Sequence, residues 1–157
     1  MHTVRPIQQD DFKQWLVLWN GYNRFYGRYD ETALPAIVTQ TTWSRFFDAE
    51  EPVFAYVAEE SGELLGFVHY LFHRHTSQIA PACYLQDLFT AEGARNKGVG
   101  NTLIHTVYEQ AKQASCPSVY WHTQETNATA RRLYDQVAAN SGFIVYRKAL
   151  SVPVNPE

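Results

Sequence analysis

Long apolar runs are missing from this 157-residue chain, and no stretch approaches the roughly 20 residues that cross a bilayer. No signal-type apolar segment stands at the N-terminus either, so neither membrane insertion nor secretion is indicated. Cysteine is scarce. Cys83 and Cys116 form neither a metal spacing nor a disulfide framework, which makes a reducing cytoplasm the expected compartment. An excess of one charge is lacking too: 13 Lys and Arg face 16 Asp and Glu, for a net charge of −3 and a pI near 6.1. That balance excludes the basic footprint of a direct nucleic-acid binder and tolerates a cationic small molecule. Repeats, low-complexity segments and blocks of like charge are also absent.

Aromatic and apolar side chains are plentiful, at 15% and 45% of residues, enough to fill the interior of one domain. We expect that domain to span residues 1–150, with an extended tail over 151–157. His2 to Ile7 reads as a first strand. Phe12, Trp15, Leu16, Trp19, Tyr22 and Tyr26 then recur every three or four residues, the stripe of a helix buried against a sheet. Ile37 to Phe47, including Trp43, predicts a second helix. Val53–Ala58 and Leu64–Phe72 are β-rich runs joined by Glu59-Glu60-Ser61-Gly62-Glu63, so an antiparallel hairpin is expected. His69, His73 and His75 lie close in sequence, yet no carboxylate or cysteine pattern accompanies them, so no metal is expected.

The stretch from Cys83 to Glu109 organises the rest. It reads as a strand, a loop of glycine and charge, and a helix whose inward face carries Val99, Leu103, Ile104, Val107, Tyr108 and Ala111. A glycine-lined helix start leaves N–H groups free for an anion, with phosphate the obvious ligand. The loop is not a G-x-G-x-x-G dinucleotide fingerprint. It is not a P-loop either, because Val99 stands where lysine is required. Ser118–Thr123 predicts a strand parallel to the organising one, Thr126 to Ala138 a further helix capped by Thr126 or Asn127, and Phe143–Ala149 a last strand after Gly142. The expected fold is thus α/β, or α+β with a mixed sheet, in the order β-α-α-β-β-β-α-β-α-β.

Arg95-Asn96-Lys97-Gly98-Val99-Gly100 matches R/Q-x-x-G-x-G/A and resembles the acetyl-CoA pyrophosphate loop of the GNAT N-acetyltransferases. The strand Tyr84–Thr90, the segment Asn127-x-x-Ala130-x-x-Leu133-Tyr134 and the Gly142-Phe143 pair extend that resemblance in the same order. Within the family the chain looks most similar to the spermidine/spermine, thialysine and fungal histone/polyamine acetyltransferases. The resemblance implies a GNAT fold, acetyl-CoA as co-substrate, and direct transfer of acetyl to a primary amine. It implies that Leu88, Phe89 and Thr90 offer backbone groups to pantetheine in a gap between two splayed strands. Asn96, Val99, Gly100 and Asn101, with Gly98, then present N–H groups to the pyrophosphate, helped by Arg95 and Lys97. Asn127 matches the residue that meets pantetheine or the acceptor, and Tyr134 the phenol beside the coenzyme sulfur.

Members of the polyamine subgroup carry Glu-Asp where this chain has Gln86-Asp87. Gln86 does not take up a proton usefully but positions a water, and Asp87, His122, His69 or Glu125 then remain as proton acceptors, Asp87 foremost. Cys83 has no paired histidine motif that would make it a nucleophile. For the acceptor site, Tyr22, Tyr26, Trp43, Asp87 and His122 are the candidates, with a polyamine, a thialysine-like amino acid or an aminosugar as substrate. Lysine on basic protein tails is the alternative acceptor, and a non-catalytic acetyl-CoA-binding module the alternative function. The resemblance further implies a homodimer.

Overall fold

The computed structural model describes residues 1–151, so the expected tail lies almost wholly outside the described residues. Its contacts cluster in two units, Met1–Trp121 and a second that begins at His122.

In the first unit, β1 (Thr3–Pro6), β2 (Val53–Glu60), β3 (Glu63–His73), β4 (Ala82–Thr90) and β5 (Val119–Tyr120) form one sheet in that order. The first four strands pair antiparallel and β5 joins β4 in parallel, as expected for a strand reached through a helix. Ser61 and Gly62 both take positive φ, 54° and 82°, which makes the two-residue turn between β2 and β3 follow the strand twist. Helices α1 (Phe12–Phe25), α2 (Ala36–Arg45) and α3 (Val99–Gln113) complete the unit.

Alternation along the strands divides the core between two faces. On one, Trp15, Leu18, Trp19 and Tyr22 of α1 pack with Ala55, Val57 and Phe67 of the sheet. On the other lies α3, whose Val99, Leu103, Ile104 and Val107 are all buried. A side chain added at Gly66 would lie 3.2 Å from Val99, so Val68 and Tyr70, two and four residues on, share the α3 face. Aromatic rings dominate the α1 face: Trp15 stacks on Trp19 at 5.5 Å and meets Trp43 of α2 at 4.9 Å.

Among the described residues of the second unit the regular element is one helix, α4 (Ala128–Val137). Asn127 caps it, its side-chain oxygen accepting from the Ala130 N–H at 3.3 Å. Residues 143–150 form no strand, which corrects the expected final strand: Phe143, Ile144, Val145 and Tyr146 are exposed and have no ladder partner among the described residues. A β-rich composition specifies a strand only when a neighbouring edge supplies hydrogen bonds. β5 is likewise shorter than the expected 118–123.

Candidate active site

The organising strand contains an irregularity that periodicity does not reveal. His69 pairs with Asp87 and Tyr70 with Leu85, so Gln86 is an extra residue in β4, a β-bulge. Strict alternation would set Asp87 on the same face as Leu85, towards α3. The bulge turns it to the α1 face, and leaves Gln86 exposed.

There Asp87 meets two donors. The Tyr22 hydroxyl donates to Asp87 Oδ1 at 2.5 Å, and His69 Nδ1 lies 2.9 Å from Oδ2. On the far side of the imidazole, Trp15 Nε1 is 3.1 Å from His69 Nε2. An indole N–H only donates, so Nε2 accepts and the ring proton sits on Nδ1, directed at Asp87. A proton placed on His69 Nε2 would displace the Trp15 bond. Burial, then the Asp87 charge, pushes the Tyr22 phenol well above its ordinary range, so it remains a donor at neutral pH. Gly21 permits the approach: a Cβ there would stand 2.9 Å from the Phe89 ring.

Tyr26, at the C-cap of α1, is exposed and its ring lies 4.9 Å from that of Tyr22. Arg28 covers both rings, at 5.7 and 5.3 Å. Tyr22, Tyr26 and Asp87 are thus brought together. Trp43 stands elsewhere, its ring contacts being with Phe12, Trp15, Phe46 and Phe47 in the aromatic core. The sequence reading missed Trp15, His69 as a tautomer-locked donor, and Arg28. Only the last had a sequence signal, a cation two residues after an aromatic cluster.

β4 and β5 pair at Cys83–Val119 and Tyr84–Tyr120 and no further. Along that edge, Leu85 to Thr90 have no strand partner among the described residues, which leaves the backbone of Leu88, Phe89 and Thr90 available to a ligand. Beyond β4, Asn96 and Gly98 take φ of 62° and 77°, and Gly98 is the N-cap of α3 without a side-chain cap. The first intrahelical bond there runs from the Thr102 N–H to the Gly98 carbonyl at 3.0 Å. The N–H groups of Val99, Gly100 and Asn101 are therefore free for an anion. Arg95, Asn96 and Lys97 are exposed around them.

In the second unit, Asn127, Ala130, Tyr134 and Val137 form the half-buried face of α4, and His122 is exposed. Cys83 is buried, and burial first, then Cys116, pushes its thiol up to about 12, so it is no thiolate at neutral pH. The histidines do not converge: His73 bonds Tyr120 and His75 bonds Ser77. Among the described residues no group of three His, Cys, Asp or Glu is placed to hold a metal, and no helix is long and apolar enough to cross a membrane. A groove of about 400 Å³ lies between the last turn of α3 and β2–β3, lined by Phe54, Tyr56, Tyr70 and Gln110 among others. None of the expected acceptor residues borders it.

Known proteins are similar to this chain in sequence and in fold. The chain is 35% identical over 148 residues to the D-amino-acid N-acetyltransferase HPA3 of Saccharomyces cerevisiae, covering 93% of this chain and 89% of the relative. It is 34% identical over 73 residues to an aminoglycoside N(6')-acetyltransferase type 1 of Serratia marcescens, covering 45% and 50%. The fold is that of the aminoglycoside acetyltransferase AAC(6')-Iy in complex with a bisubstrate analogue of CoA, with TM-score 0.80, 16% identity, and 96% and 99% of the two chains covered. The profile of the Acetyltransferase (GNAT) family matches residues 10–138. The chain belongs to that family and is an acetyl-CoA-dependent N-acetyltransferase.

Proposed function

We propose that the chain transfers acetyl from acetyl-CoA directly to the primary amine of a small acceptor held at Asp87. The observation that carries this reading is the Asp87 carboxylate, turned to the α1 face by the Gln86 bulge and fixed by Tyr22 and His69. Each of its oxygens keeps a further lone pair for an ammonium. The open edge of β4 and the uncapped start of α3 supply the hydrogen-bonding groups that pantetheine and pyrophosphate need.

In this reading the amine nitrogen attacks the thioester carbonyl carbon and the carbon–sulfur bond breaks. The ammonium proton leaves through a water positioned by Gln86, with Asp87 its first acceptor. Tyr134 gives its phenolic proton to the departing thiolate and is reprotonated by the second proton of the acetylated nitrogen, so the products are the acetamide, free coenzyme thiol and one proton. Asn127 meets pantetheine or the acceptor, as the family motif implies, and His122 is a further acceptor candidate. The high titration of Cys83 favours direct transfer over an acyl-cysteine. A homodimer belongs to the same proposal, and a monomeric mass by light scattering would remove it.

The test is a thiol-release assay with acetyl-CoA against amino acids, polyamines, an aminosugar and a lysine-rich peptide, run on the native chain and on Tyr134→Phe. Turnover on a small amine, lowered at least tenfold by the variant with acetyl-CoA affinity kept, is expected. Turnover on the peptide alone would move the assignment to protein lysine. Silence with acetyl-CoA still bound would make the chain a binding module.

A further inference from the structure

Arg28 is a cation set over the ring of the tyrosine that bonds Asp87, with no carboxylate of its own. It follows α1 directly, is half-buried, and its guanidinium lies over the rings of Tyr22 and Tyr26. Its Nε donates to Asn23 Oδ1 at 2.6 Å, and Asn23, itself buried, is fixed by its own bond to the Trp19 carbonyl at 2.8 Å. The guanidinium is thus anchored by one edge. Among the described residues its two terminal nitrogens have no hydrogen-bond acceptor, and no Asp or Glu stands within ion-pair distance. Asp87 does not fill that role, since its oxygens are met by Tyr22 and His69.

An arginine held this way presents a planar pair of donors suited to a carboxylate, and stacking on the rings keeps the fork oriented. A fixed anion and a fixed cation lie around one tyrosine, Asp87 at its hydroxyl and Arg28 over its face. Such a site matches an acceptor that carries an amine and a carboxylate on neighbouring atoms. It matches a polyamine poorly, because a second ammonium would lie against the guanidinium.

We propose that Arg28 binds the carboxylate of the acceptor and thereby selects amino acids over polyamines and other amines without an acid group. This rests on the reading of Asp87 as the acceptor-amine site. Arg28 is a specificity residue: Asp87 holds the ammonium end and Arg28 the carboxylate end, each set by its contact with Tyr22. Of the acceptors the resemblance implies, a polyamine, a thialysine-like amino acid or an aminosugar, the amino acid is the one that carries the carboxylate this site takes.

The experiment pairs substrates that differ only in the carboxylate: phenylalanine against phenethylamine, and lysine against cadaverine, with both enantiomers of each amino acid and with spermidine. Thiol release is measured for the native chain, Arg28→Met and Arg28→Lys. The native chain should favour the better amino-acid enantiomer over its decarboxylated partner by roughly 30- to 100-fold in kcat/KM, the value of a charge-assisted bidentate contact. In Arg28→Met that ratio should collapse towards one through a rise in the amino-acid KM, and Arg28→Lys should recover part of it. A native chain that treats the paired substrates alike, or a Met variant that keeps the native ratio, overturns the Arg28 assignment and leaves the acetyltransferase reading standing. Silence towards every amine, with acetyl-CoA still bound, overturns the reading of the site itself and this assignment with it. If Arg28→Met does not fold, the native ratio alone decides.

Discussion

Tyr22 on α1 and Asp87 on β4 are 65 residues apart in sequence and share a 2.5 Å hydrogen bond in which the phenol donates. Tyr22→Phe removes one of the two donors that fix the carboxylate. Because the acceptor is charged, the bond contributes about 1.5–3 kcal/mol, and urea unfolding should show a loss of that order. Amine KM should rise while acetyl-CoA affinity, measured by calorimetry, stays near the native value. An unaltered KM would separate Tyr22 from the acceptor site.

The Arg5 guanidinium bonds Asp11 at 2.7 and 2.9 Å and Glu59 at 2.6 Å, joining β1, the start of α1 and β2. Burial raises the Asp11 carboxyl, but the Arg5 bonds and the Gln8 N–H outweigh it and hold the group below its ordinary 3.8. A depressed folded value means that this stability is present above about pH 3.8 and is lost as pH falls through the folded value. Arg5→Leu leaves Asp11 buried with its partner gone. The expected cost is about 2–3 kcal/mol at pH 7, with a smaller difference from the native chain below pH 3, read from denaturation midpoints.

At the alkaline end the sign reverses. Burial raises the Cys83 thiol from 9.0 to about 12 and raises the Tyr22 and Tyr70 phenols above 10.0. These groups ionise first in the unfolded chain, so the stability they contribute is complete below pH 9 and falls as pH rises beyond it. Thermal midpoints should be flat from pH 7 to 9 and decline above. Cys83→Ala, which also loses packing, should shallow the part of that decline between pH 9 and 10.

Gly98 has φ of 77° and open space around its Cα, at the uncapped start of α3. Gly98→Asp adds left-handed strain of about 1 kcal/mol and a negative charge beside the free N–H groups. Acetyl-CoA affinity should fall at least tenfold, and Gly98→Ala should fall less. Equal affinity for all three would show that the coenzyme pyrophosphate is bound elsewhere.

The helices α1 and α3, the β2–β3 hairpin and the glycine start of α3 were legible because each follows from local spacing. Apolar residues every three or four positions, a Ser-Gly turn, and glycine with positive φ leave the chain few alternatives. The last strand was misread for the opposite reason, since the apolar alternation of Phe143–Ala149 says nothing of whether an edge is there to receive it. Tyr22 and Asp87 were each legible as candidates, but their bond was not. Trp43 looked equally suitable, and packing set it in the aromatic core.

By itself the sequence determined the family, the order of elements through α4 and the glycine-lined start of α3, because these depend on residues near one another in the chain. Tertiary structure alone decided which way Asp87 faces, through one extra residue at Gln86. It also decided which nitrogen of His69 carries the proton, through Trp15, and that Arg28 stands over the same tyrosine whose hydroxyl holds Asp87. Such relations depend on contacts between distant segments, and neither periodicity nor composition encodes a contact whose two halves lie on different elements.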